Sequence, residues 1–84
     1  MAREAGEFGI TANGVAPGLI DGPRVRVAWD NDTDDGRQAV FDGVAVKRLG
    51  TATEIASAIL YFVSPQAAYT TGQTLLVDGG HLIF

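Results

Sequence analysis

Gly9-Ile10-Thr11-Ala12-Asn13-Gly14-Val15-Ala16-Pro17-Gly18-Leu19-Ile20-Asp21-Gly22-Pro23 is the stretch whose reading decides the fold. Its first half carries apolar Ile10, Ala12 and Val15 after a punctuating Gly9, and predicts a short buried strand. Its second half is a sharp exit, because Pro17 fixes its own φ and lacks an N–H while Gly18 tolerates a positive φ. A strand that stops at Pro-Gly leaves backbone N–H and C=O groups pointing off the carboxyl end of a sheet. In open α/β sheets that end is where ligands bind. The stretch predicts a ligand-facing loop and leaves the ligand open.

Working downstream, Thr51-Ala52-Thr53-Glu54 has the form of a capping box, followed by Ile55, Ala56, Ile59, Leu60 and Val63 as an apolar stripe at helical spacing. Ser64-Pro65 ends that helix, since proline disfavours the α conformation in the residue before it. Ser64 is also positioned to cap a short turn over Pro65-Gln66-Ala67-Ala68. Thr71 to Val77 then reads as a second strand, closed by Asp78-Gly79-Gly80. Strand, loop, helix, strand is a crossover unit, which predicts parallel strands. Two strands and one firm helix leave most of a sheet unbuilt, and open strand edges need covering.

Upstream, Ala2-Arg3-Glu4-Ala5 are good helix formers interrupted by Gly6, so residues 1–8 read as the last turn of a helix. Between the two firm regions lies the least regular part, residues 24–47. Val25, Val27 and Trp29 alternate with Arg24, Arg26 and Ala28, a weak strand signal equally compatible with one helical turn. Asp30 to Gly36 is strongly polar and predicts an exposed loop. Gln38 to Val46 predicts a short helix interrupted at Gly43. The acidic run invites a calcium reading with Asn31, Thr33, Asp35, Gly36 and Asp42 at EF-hand positions 1, 3, 5, 6 and 12. The glycine suits that register, but the first ligand is Asn, the third is Thr and Asp42 is shorter than the usual bidentate Glu, so a solvated acidic loop is the better reading.

At 84 residues the chain is at most one small domain, and 46% hydrophobic residues with 11 glycines fit a globular α/β piece. The net charge of -4 and six scattered Lys and Arg argue against nucleic acid or an anionic membrane surface as partner. With no cysteine, disulfides, thiolate catalysis and Cys-ligated metals are excluded, and the composition suits the cytoplasm. The apolar runs are too short to span a bilayer. A lone His81 without cysteine or a second histidine argues against a zinc site. A set of Ser57 or Ser64 with Asp78 and His81 lacks a nucleophile elbow. Leu82-Ile83-Phe84 is an apolar tail expected to be buried against a neighbouring subunit.

Three ordered segments together carry a family resemblance. Ile10 to Ile20 resembles the N-x-V-x-P-G-x-I segment of short-chain dehydrogenase/reductases. Arg48-Leu49-Gly50-Thr51 with Glu54-Ile55-Ala56 is similar to that family's R-L/F-G-x-P-x-E-I/V-A helix start. Ser64-Pro65, Tyr69 to Leu75 and Val77-Asp78-Gly79-Gly80 resemble its terminal signature, and the wording is most like the 3-oxoacyl-carrier-protein reductase type. The matches cover nearly the whole chain except residues 24–46.

The resemblance implies the C-terminal third of a Rossmann-type doubly wound parallel sheet, using NAD or NADP. It divides one partial domain, 1–84, into a helix end (1–8), a strand with a nicotinamide-side loop (9–23), a substrate-lid-like segment (24–47), and a capped helix, last strand and tail (48–84). It assigns cofactor binding to Pro17, Gly18, Leu19, Ile20 and the position of Gly22, where the family commonly carries a Thr hydroxyl. The family's Gly-rich phosphate loop and its Tyr-x-x-x-Lys pair have no counterpart: Pro65 follows Tyr61 at the lysine position and Gln73 follows Tyr69. No catalytic and no metal-binding residue is therefore assigned. Other departures are Ala12 and Gly14 in the strand and Ala52 where proline is common. Trp29 would line a substrate lid or serve packing alone, and Asn13 would satisfy nearby backbone groups. The partners implied are another copy of the chain or a chain carrying the missing N-terminal part.

Overall fold

A computed structural model describes residues 1–81; the expectation for Leu82-Ile83-Phe84 lies outside them. The elements run α1 (Ala2–Gly6), β1 (Gly14–Pro17), α2 (Pro23–Asp30), α3 (Asp34–Asp42), α4 (Ala52–Val63), a 3₁₀ turn (Pro65–Ala67) and β2 (Thr74–Val77). Among the described residues the sheet has two strands, parallel, with Gly14 opposite Thr74 and Pro17 opposite Val77. The crossover reading of the sequence holds.

Both strands are shorter than their apolar patterns predict. Ahead of β1 the chain is extended but tied by single bonds: the Ala12 N–H donates to Thr71 Oγ1 and the Gly72 N–H to the Ala12 carbonyl. Asn13 spans the same gap, its Nδ2 donating to the Thr70 carbonyl and its Oδ1 accepting from the Gln73 N–H. Nor is the strand buried as predicted. Gly14 to Ala16 are half-buried, Pro17 is exposed and Ile10 keeps 56% of its surface open.

The acidic run corrects the sequence reading most clearly. Only residues 31–33 are loop, and Asp34–Asp42 is helix rather than exposed coil. Thr33 is the reason: its Oγ1 accepts from the Gly36 N–H at 3.0 Å, with Asp34 and Asp35 favourably placed against the helix dipole in the first turn. A helix over these positions cannot wrap an EF-hand ion. The α2 segment resolves as helix, with Pro23 at its tolerated first position. Arg37 ties the pair, donating from Nε to the Trp29 carbonyl at 2.8 Å and from Nη2 to the Asp30 carbonyl at 3.2 Å. The Trp29 and Phe41 rings pack at 5.0 Å between centroids.

The predicted capping box is present with both of its bonds, and α4 lies across both strands. The face it packs differs from the predicted stripe: Ile55, Ala58 and Phe62 are half-buried, while Leu60 and Val63 are 64% and 74% exposed. A helix apolar all round needs cover on all sides, and one face of this sheet covers only part of it. At its end Ser64 departs from the capping expectation, its Oγ donating to the Tyr61 carbonyl at 2.6 Å. Only Val44 and Ala67 among the described hydrophobic residues are fully buried.

Candidate functional site

At the carboxyl ends of the two strands, β1 runs into the exit that the sequence marks. Pro17 closes the ladder opposite Val77, and the Gly18 N–H still donates to the Val77 carbonyl at 2.9 Å. A side chain cannot be built at Gly18, because its Cβ would stand 2.6 Å from the Asp78 Cα. That close approach, rather than a positive φ, is why glycine sits here.

Beyond Gly18 the loop meets the chain arriving at α4. Ile20 and Gly50 form a parallel bridge: the Gly50 N–H donates to the Leu19 carbonyl at 3.0 Å, and the Asp21 N–H donates to the Gly50 carbonyl at 2.8 Å. In a parallel bridge the neighbours of the bridging residue make the bonds, so its own N–H and C=O turn to the opposite side. Among the described residues nothing bonds the Ile20 N–H or carbonyl. They form a donor–acceptor pair left without a bond at a sheet end. Asp21 then pairs with Arg26 in α2, whose guanidinium is held above its ordinary pKa chiefly by that hydrogen bond. Gly22 precedes α2 in an extended conformation, with open space where a Cβ would lie.

A cleft of about 540 Å³ opens between this exit and α3. Ala16, Pro17, Gly18 and Leu19 line one side, Ala39, Val40 and Gly43 the other, with Leu76, Asp78 and His81 between. The wall is apolar apart from Asp78 and His81. The Asp78 carboxylate accepts from the Gly80 N–H at 3.0 Å and steadies the Gly79-Gly80 turn, where both residues have positive φ. The Val46 N–H reaches the Gly79 carbonyl at 3.0 Å, so the segment from α3 to α4 straps this turn.

Pro17, Gly18, Leu19 and Ile20 thus lie together at one sheet end, while Gly22 stands apart from the cleft wall. Trp29 is absent from that wall and packs on Phe41, so of its two readings the packing one matches its surroundings. Sequence reasoning missed two features. His81 faces the cleft, visible only once the Gly-Gly turn is folded. Arg48 forms a bidentate pair with Glu54, both bonds at 2.8 Å, and at six residues apart they match no helical spacing. Hydrogen bonding from Arg48, then from the Thr51 backbone, lowers the Glu54 carboxyl from 4.5 to about 2. Among the described residues no group of three or more His, Cys, Asp and Glu could hold a metal ion, and no helix is long and apolar enough to cross a membrane.

Residues 1–81 match a family model described as enoyl-(acyl carrier protein) reductase. The 3-oxoacyl-(acyl-carrier-protein) reductase FabG of Vibrio harveyi is 46% identical over 80 residues, covering 95% of this chain and 31% of that protein. Nodulation protein G of Rhizobium sp. (strain N33) is 40% identical over the same length. The chain spans about a third of the curated relatives it matches. Among solved structures, YwfH, an NADPH dependent reductase involved in bacilysin biosynthesis, superposes with a TM-score of 0.87 at 28% identity, over 99% of this chain and 34% of that one. A putative 2-deoxy-d-gluconate 3-dehydrogenase from Agrobacterium tumefaciens with bound NADP gives 0.87 at 31% identity, over 96% and 32%. The two-stranded α/β unit is accordingly part of a Rossmann-type fold.

Proposed function

The chain belongs to the short-chain dehydrogenase/reductase family, and from that premise we propose that it is the C-terminal portion of an NAD(P)-dependent oxidoreductase acting on a carbonyl or alcohol carbon. The bound nicotinamide supplies the hydride in reduction and accepts it in oxidation. Residues 1–81 hold the nicotinamide end and line the substrate cleft on both sides.

The unpartnered amide pair of Ile20 carries this reading. A carboxamide has one acceptor and two donor hydrogens, so it pairs with the Ile20 N–H and C=O as a further strand would. Pro17, Gly18 and Leu19 form the floor beside it, and the largely apolar cleft they line suits an apolar substrate chain. Gly22 brings only backbone to its position, so a hydroxyl contact there is missing. α3, tied to α2 through Arg37, forms the far wall of the cleft, as a substrate lid would.

The proton donor and the phosphate-binding loop come from sequence other than these residues, carried by a chain that bears the matching N-terminal part. Purified 84-residue material is expected to show no NAD(P)H oxidation with a 3-oxoacyl thioester. A chimera in which residues 1–84 replace the matching third of the Vibrio harveyi relative is expected to turn over. Turnover by the short chain alone, or a folded chimera that neither binds NAD(P)H nor turns over, overturns the proposal.

A second reading, a non-catalytic module that associates with itself, is favoured by the exposed apolar residues Leu60, Val63, Leu75 and Leu76. It predicts a short chain that assembles and a chimera that binds no nucleotide.

A further inference from the structure

We infer that Arg48 and Glu54 are positioning residues that set the orientation of the nicotinamide-side loop through the two peptide groups flanking Gly50. The inference rests on the function proposed above and adds residues that never reach the cofactor.

The geometry is a two-sided grip. The Leu49–Gly50 peptide accepts at its oxygen from Arg48 Nη1, at 3.1 Å, and donates from its N–H to the Leu19 carbonyl. The Gly50–Thr51 peptide donates from its N–H to Glu54 Oε1, at 3.0 Å, and accepts at its oxygen from the Asp21 N–H. Each peptide plane is therefore held by the ion pair on one side and holds the loop on the other. Arg48 and Glu54 close the grip on each other through two bonds at 2.8 Å. Hydrogen bonds in series polarise one another, so each outer bond strengthens the inner one.

The exposure of the pair favours positioning over stability. The side chains are 52% and 43% exposed, where an ion pair adds little to folding but a planar bidentate fork still fixes direction. Direction is what the loop needs. Rotating either peptide of Gly50 would swing the Leu19 and Asp21 bonds, and with them the Ile20 N–H and carbonyl that lie between.

The test uses the chimera, measuring the dissociation constants of NADPH and of 2′-phospho-ADP-ribose, which lacks the nicotinamide; an NAD-binding chimera is assayed with NADH and ADP-ribose. Failure of the parent chimera to bind NAD(P)H removes the proposed function itself. Given a binding parent, Glu54→Gln and Arg48→Met are expected to weaken NADPH by about tenfold or more, as misplacement of a positioning group does. The nicotinamide-free ligand should bind as in the parent. Ser57→Gly, which weakens α4 without touching the grip, should leave the ratio of the two constants unchanged, and Arg48→Lys should restore part of it. Equal weakening of both ligands by Glu54→Gln, or no change in either, overturns the inference.

Discussion

Gly18 shows how one missing side chain sets the geometry of a site. A Cβ there would stand 2.6 Å from Asp78 Cα and 2.7 Å from Asp78 Cβ, and neither neighbour can rotate away, because the first is backbone and the second is fixed to it. Gly18→Ala must therefore push the strand ends apart, breaking the bond from the Gly18 N–H to the Val77 carbonyl. The expected loss of stability is about 1–3 kcal/mol, the range for forced overpacking, measured by denaturant unfolding of the chimera. An alanine at Gly22, where no atom lies within 4 Å of the Cβ position, is the control and should unfold as the parent does. The sequence marks the Pro17-Gly18 turn, but its reason for glycine is a contact with a residue sixty positions away. No local pattern carries that contact, and the same holds for Arg48 and Glu54.

Among the elements, α4 was legible down to its first residue because a capping box is a local bond pattern. Thr33, by contrast, lies inside an acidic run whose composition reads as loop, although its Oγ1 caps α3 in the same manner. Composition outweighed capping there, and capping was the physical determinant. The α4 cap also gives the start of that helix a sensitivity to acid. With the Glu54 carboxyl lowered from 4.5 to about 2 in the folded chain, its contribution is complete above pH 4.5 and is lost as pH falls toward 2. Glu54→Gln removes a titrating group from that window. Its stability, followed by thermal unfolding, should fall less steeply between those pH values than that of the parent. Equal slopes would show that the Arg48–Glu54 bonds are not formed in solution.

As a whole molecule the chain is open. Its surface of 6231 Å² exceeds the roughly 4,800 Å² of a compact monomer of its mass. Its radius of gyration, 16.2 Å, exceeds the ~12 Å of a compact chain this long. The apolar residues that would close a core, Leu60, Val63, Leu75 and Leu76, stand instead in the open. The purified chain is expected to sediment as an assembly larger than the monomer at micromolar concentration, and a monomer mass there would contradict this. Periodicity announced which residues are apolar. It could not announce which of them this chain covers, because among the described residues no surface covers them.

The pairing of β1 with β2 has a further consequence, in time rather than in space. Asn13 and Gln73, bonded beside the first ladder pair, are 60 residues apart, so the sheet closes a long loop to gain four paired positions. Loop closure of that length costs roughly 3–4 kcal/mol before the ladder contributes anything. The helices can form from local contacts, but the strands meet late, and β1 has no partner in this chain until residues 74–77 have been synthesised. The bond from Gly18 to Val77 therefore waits until Val77 has been synthesised, so the ligand-facing end of the sheet takes shape after the helices.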